Sequence, residues 1–290
     1  MSYAPRYDVV ASRKQKSRRR GTKFIIFLVV LAGLLVGADF AAAAFAEHTI
    51  SQQAREKFQL QDDPAVHIRG FPFTTQALGG EYEHITVAAE GINVQDTLHE
   101  LELMAELRNV TAPLSDVVDG NTSAIVIGDL EGIAKIRQAD IGRLIKLPSL
   151  SIEPAAEDYV RTGDAEDFVS VEDLEKQREA SNTYDSTAGV RLAATTRIAG
   201  REIEIVAFAI IELTESAVRI DPQRLEFGQE EETTVVPDQV RKTLLPQFGT
   251  TIEPGSLPFN VRPSGVAVEH GKLIVQGKAQ NVTFAGSAQD

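Results

Sequence analysis

The stretch Glu202-Ile203-Glu204-Ile205-Val206-Ala207-Phe208-Ala209-Ile210-Ile211-Glu212-Leu213 decides the fold. Its ends alternate polar and apolar side chains with the period of two that marks a β-strand, but from Val206 to Ile211 both faces are apolar. A strand that is apolar on both faces belongs to a sheet covered on both sides. One cover is the core; the other is a helix, a second sheet or a bound apolar ligand.

Outward from this strand the same period recurs. Leu101, Leu103, Ala105 and Leu107 alternate with Glu100, Glu102, Met104, Glu106 and Arg108, which predicts a strand with one wet face. Weaker alternation appears over residues 85–90, 124–127, 190–197 and 266–276, and Glu269-His270-Gly271-Lys272 breaks the last as a hairpin turn would. Short helices are expected over residues 139–147, stopped by Pro148, and 237–248, bent at Pro246. These elements make an α+β fold built on antiparallel sheet.

Residues 24–46, FIIFLVVLAGLLVGADFAAAAFA, carry one charge, and as a helix at ~1.5 Å per residue they would extend about 34 Å, enough to cross a ~30 Å hydrocarbon layer. Eight basic residues (Arg6, Arg13, Lys14, Lys16, Arg18, Arg19, Arg20 and Lys23) precede this segment, whereas the body from Glu47 has 21 basic and 40 acidic residues. The positive-inside bias then puts residues 1–23 in the cytoplasm as a basic tail, residues 24–46 in the membrane and the body outside. A second reading uses the same residues. The uninterrupted apolar run, Phe24 to Ala38, has 15 residues, and Ala44-Phe45-Ala46 resembles a signal-peptidase site, so the body would be secreted to the envelope after cleavage. Both readings export the body. No Gly or Pro occurs between Gly37 and Pro64, and Ala46, Ile50, Ala54 and Phe58 recur every four residues. Either the membrane helix continues outward as one rod, or a separate short helix packs on the core.

The net charge of −13 argues against nucleic-acid binding, and the lack of Cys excludes disulfides and thiol chemistry. The five His (His48, His67, His84, His99 and His270) form no metal-ligand motif, and no G-x-S-x-G, Walker A or G-x-G-x-x-G occurs. No catalytic residue, metal or cofactor is assigned. Residues 153–186 hold 11 acidic and 3 basic side chains with few large apolar ones, which predicts an exposed acidic insertion containing one helix near 171–180, capped by Ser170 with Asp173.

The run Ile68-Arg69-Gly70-Phe71-Pro72-Phe73-Thr74-Thr75-Gln76-Ala77-Leu78-Gly79-Gly80-Glu81-Tyr82, continuing to Ile92, resembles the signature of the LmeA-like phospholipid-binding family of actinobacterial cell envelopes. Residues 127–132 with 139–145, and Leu257-Pro258-Phe259 with 266–268 and 273–279, are similar to the middle and end of that family. The resemblance implies a non-enzymatic binder of phospholipid or glycolipid at the membrane, associated with mannan elongation of lipomannan and lipoarabinomannan and so with envelope biosynthesis proteins as partners. It also implies a tubular or AsmA-like architecture, a curved antiparallel sheet wrapped on a long helix, over residues 47–284, leaving 285–290 as a tail.

For acyl contact the candidates are Phe71, Phe73, Leu78, Val206, Phe208 and Ile210; for the head group, Arg69, Arg143 and Lys146. Burying each methylene contributes ~0.8 kcal/mol, so no strong charge attraction is needed, and any head-group contact is local. Two rival classes stand beside lipid binding. One is a structural or partner-recruiting scaffold that docks another protein through the acidic insertion. The other is an envelope glycosyl hydrolase or transferase using paired carboxylates.

Overall fold

Without Gly or Pro to interrupt it, the N-terminal apolar segment continues into the body as one 40-residue helix, α1 (Arg19–Phe58). It stops at Gln59, whose φ of 52° is left-handed, while the Leu60 N–H donates to the Arg55 carbonyl at 3.0 Å. The single-rod alternative is therefore the observed one. These coordinates come from a computed structural model that describes residues 19–94, 98–113, 115–116, 121, 124–181, 183–198, 201–215, 217–227, 234–235, 238–252 and 261–283. The basic cluster before Arg19, Leu257-Pro258-Phe259 and the tail 285–290 lie outside the described residues.

After α1 the chain forms β1 (Ala65–Arg69), the short helix α2 (Phe73–Gly79), β2 (Glu81–Val94), β3 (Leu98–Thr111) and β4 (Val126–Arg137). It then leaves this sheet through α3 (Gln138–Leu144) to build a second one. That sheet uses β5 (Ser151–Pro154), β6 (Thr187–Ile198), β7 (Arg201–Leu213), β8 (Val218–Phe227), β9 (Thr234–Val235) and β10 (Thr250–Ile252). Helices α4 (Glu157–Thr162) and α5 (Val171–Ser181) lie between β5 and β6, and α6 (Asp238–Leu244) follows β9. Finally β11 (Arg262–Glu269) and β12 (Lys272–Thr283) return to the first sheet, whose order is β1-β2-β3-β4-β12-β11, all antiparallel. The second sheet is ordered β10-β8-β7-β6-β5 with β9 on β8. The antiparallel sheet expected from sequence is built as two sheets, because α3 carries the chain out of one and into the other. Gly271, at φ 75°, closes the β11–β12 hairpin in the left-handed backbone region that glycine favours.

Strand β7, apolar on both faces, has two different covers. Ile205, Ala207, Ala209 and Ile211 enter the core between the sheets, together with Leu101, Ile136, Val268 and Leu273 of the first sheet. Val206, Phe208 and Ile210 face α4, where Val160 is wholly buried. The Tyr159 ring meets Phe208 edge-on at 5.2 Å, and the Arg224 guanidinium lies 4.6 Å from the centre of each of these rings. So the acidic stretch is not wholly solvated: its first helix closes the second sheet, whereas α5 buries no residue. As anticipated, the Ser170 hydroxyl accepts from the Asp173 N–H at 3.2 Å at the start of α5.

A second cluster lies where α1 meets the first sheet. Ala42, Ala43, Ala46 and Ile50 of α1 pack against Ile68, Phe73, Ala77, Leu107, Leu130 and Ala279. Three polar side chains fix the helix there. Asp39, 6% exposed, accepts from the Phe73 and Thr74 N–H groups, both at 2.8 Å, and from the Thr74 hydroxyl at 2.7 Å. Glu47 accepts from the Ile68 N–H at 2.7 Å, and the Ser51 hydroxyl donates to the Pro64 carbonyl at 2.6 Å. Helix α2 ends at Gly80, at φ 68°, where a Cβ would stand 3.1 Å from the Pro113 Cα.

Asp39→Ala should lower the thermal stability of the full chain in detergent by about 1–3 kcal/mol, since it leaves two N–H groups without their acceptor; Asp39→Asn should lose less. On the outer face of the first sheet, Lys272 donates to both Glu102 oxygens at 2.9 and 3.1 Å and Arg137 adds a third contact at 3.3 Å, which holds the Glu102 carboxyl below its usual range. A lowered folded pKa gives stability that is present above the ordinary glutamate range and lost as pH falls through the folded value. Glu102→Gln should therefore cost about 1 kcal/mol at neutral pH, a figure discounted for the partly exposed cations, and flatten the acid limb of a pH-dependent melting curve.

Candidate functional site

The register of the first sheet sets its inward side chains in rows. Ile68, Ile85, Leu107, Leu130 and Ala279 form one row, which belongs to the helix-side cluster. The next is made of small residues, Val66, Val87, Ala105, Gly132 and Gly277. Beyond it come Ala89, Leu103, Ala134 and Val275, and then Ile136, Leu273 and Val268 at the inter-sheet core. Between the two clusters Val87, Leu103, Ala105, Gly132, Ala134 and Val275 are only half-buried. A trough of apolar side chains therefore crosses the sheet between two packed regions.

On the core side the trough deepens into a cavity of about 110 Å³. Leu98, Leu101 and Leu103 of β3, Ala134 and Ile136 of β4 and Val275 of β12 form its floor, while Val218 and Ile252 of the second sheet face them. Two glycines shape it in opposite ways. A Cβ on Gly277 would stand 2.3 Å from a Val261 methyl, so its absence admits Val261. A Cβ on Gly132 would meet nothing nearer than the Met104 carbonyl at 3.7 Å, so its absence leaves room. Among the described residues that line the cavity none is charged, and the side chain of Gln276, on the other face of β12, donates to Glu131 at 2.7 Å. Such a surface recognises hydrocarbon and offers nothing to a phosphate or sugar.

The residues singled out from sequence are spread over the molecule. Phe71 and Leu78 stand in the open at the β1–α2 corner, 60% and 82% exposed, and Phe73 is buried in the helix-side cluster. Val206, Phe208 and Ile210 are buried beneath α4, on the far side of the second sheet from the cavity. Arg69 is exposed beside the corner, and Arg143 and Lys146 are exposed at α3. There Arg143 bonds the wholly buried Asp140, which also accepts from the His99 and Glu100 N–H groups at 3.3 and 3.4 Å. The structure thus brings none of the three cations to the cavity. The trough itself was missed. Alternation did mark Leu103 and Ala105 as inward, but Gly132 and Gly277 acquire meaning only from a pairing between residues far apart in sequence.

Among the described residues no group of three His, Asp or Glu is placed to hold a metal ion. Burial pushes the Tyr82 hydroxyl above its usual range, and Glu102 and Arg137 titrate on the outer face, away from the trough. Among the described residues one helix, α1, is long and apolar enough to cross a membrane. No curated protein and no solved structure matches the chain. A protein-family model described as LmeA-like phospholipid-binding matches residues 37–278, beginning inside α1 and ending in β12. With most of its length matched, the chain belongs to the LmeA-like phospholipid-binding family.

Proposed function

We propose that the trough of the first sheet holds the acyl part of a phospholipid or glycolipid, and that α1 keeps the body at the outer face of the cytoplasmic membrane. The observation that carries this reading is the uncharged cavity between the sheets, continuous with the half-buried row at Gly132. At about 110 Å³ it is smaller than the ~300–1,000 Å³ of ordinary ligand pockets, so it takes only the end of a chain unless the sheets part. Each methylene that enters contributes ~0.8 kcal/mol. Binding of this kind needs no catalytic group, and lipid supply or presentation by such a site would support elongation of lipomannan and lipoarabinomannan by envelope enzymes.

A retained anchor is supported by what cleavage after Ala46 would remove. Asp39, Ala42, Ala43 and Ala46 would be lost from the helix-side cluster, leaving the Phe73 and Thr74 N–H groups unpaired and Ile68 and Phe73 uncovered. The basic residues before α1 favour a cytoplasmic N-terminus.

The small cavity also favours a second reading, a scaffold with a filled interior that recruits a partner through the exposed acidic face of α5. Under it, replacing Glu172 and Glu179 by Gln would abolish partner capture, and no lipid would be present to lose. The two readings part in one experiment. Full chain purified in mild detergent should carry phospholipid detectable by mass spectrometry. Gly132→Leu, whose Cβ fits without displacing a neighbour, should remain folded and lose that lipid, with Gly132→Ala intermediate. Lipid-free wild-type protein of unchanged stability would sink the trough reading.

A further inference from the structure

Helix α1 is too short, on its apolar part alone, for the place where the body begins. From Phe24, directly after Lys23, to Asp39 is a rise of about 22 Å, some 8 Å less than the ~30 Å hydrocarbon layer. Yet the body already grips the helix at Asp39 through α2. That carboxylate draws its hydrogen bonds from protein N–H and O–H groups rather than depending on water, the arrangement that lets a polar group sit at membrane depth. Exposed apolar side chains stand at this corner, beside the exposed Thr74 and Thr75. Phe40 on α1 is 64% exposed and stacks on Phe71 at 6.0 Å with the rings 25° from parallel, and Leu78 on α2 is the most exposed of the large apolar side chains.

We propose that the β1–α2 corner is a foot set into the outer leaflet, resting on the membrane-anchor reading above. Phe40, Phe71 and Leu78 contact acyl chains there and supply the apolar thickness that the helix lacks, so the mismatch is met by the body rather than by thinning the bilayer. Arg69, one residue before Gly70, stands at the rim of this foot where lipid phosphates lie. The partner is the bilayer itself. The contact is continuous with the apolar helix, and it fixes the body against rotation about α1.

Because the chain has no Cys, single labelling sites are clean. Full-length Leu78→Cys, Leu28→Cys and Phe168→Cys variants, each carrying an environment-sensitive fluorophore, would be reconstituted into phosphatidylcholine–phosphatidylglycerol vesicles. Nitroxide-bearing lipids then report depth. The Leu78 label should be blue-shifted and quenched several-fold by a nitroxide near the ester groups. The Phe168 label, at a 59% exposed aromatic on the α4 side, should be unaffected. A Leu78 label that behaves like the Phe168 label, beside a Leu28 label quenched by a nitroxide near the methyl ends, overturns the foot and leaves the anchor standing. An unquenched Leu28 label beside a quenched Leu78 label overturns the anchor and supports the foot as a surface contact. If neither is quenched, both fall. Leu78 makes no core contact, so loss of fold cannot mimic these outcomes.

Discussion

The pairing of β4 with β12 is the constraint on which the rest of the molecule depends. It joins residues 126–137 to residues 272–283 along nearly the whole length of both strands, and so closes the first sheet around everything inserted between them. The second sheet, α3, α4, α5 and α6 are all part of that insertion. The register also decides the inner surface. Gly132 falls opposite Gly277, and Ala134 opposite Val275, so a row of small side chains runs between rows of Leu and Ile. A slip of one residue would turn Leu130, Ile136 and Leu273 to solvent and present Glu131, Lys135 and Gln276 to the core.

That row has an energetic consequence. The apolar side chains around this space of about 110 Å³ forfeit the contacts that a filled interior would give them. A Cβ at position 132 would meet nothing nearer than the Met104 carbonyl at 3.7 Å, so the strand geometry alone does not demand glycine there. Hydrocarbon entering the space regains the lost contacts and removes apolar surface from water in one step. The two clusters on either side remain packed, so occupancy of the trough need not disturb the grip on α1 or the closure of β7.

Much of this was legible in sequence, and the losses have physical causes. The alternation at residues 101–107 marks β3, and the doubly apolar Val206 to Ile211 marks a strand covered on both faces, because burial acts on each side chain locally. What supplied the second cover was hidden. Helix α4 contributes only Val160 and Tyr159, too few to show a period within a run of acids. For the same reason Val206, Phe208 and Ile210 could be seen as apolar but not assigned to the α4 face rather than to the trough. The division into two sheets and the Gly132–Gly277 register depend on long-range pairing, which no local pattern records. Asp39 is the one charge within residues 24–46. Its actual partners, the Phe73 and Thr74 N–H groups, lie 34 and 35 residues onward and carry no sequence mark.

Asp39 also links the two proposed roles of the N-terminal helix. A helix serving only as a tether would leave the body free to turn, and its carboxylate would be best placed in the aqueous boundary. Here the carboxylate accepts from the first turn of α2, next to the corner where Phe71 stacks on Phe40. On the proposed reading the same contact fixes both the depth and the azimuth of the first sheet, whose β1 edge lies against α1 and whose trough begins at Val66, on β1 itself. Lipid leaving the outer leaflet beside α1 would then meet the exposed Phe40, Phe71 and Leu78 before it reaches the trough.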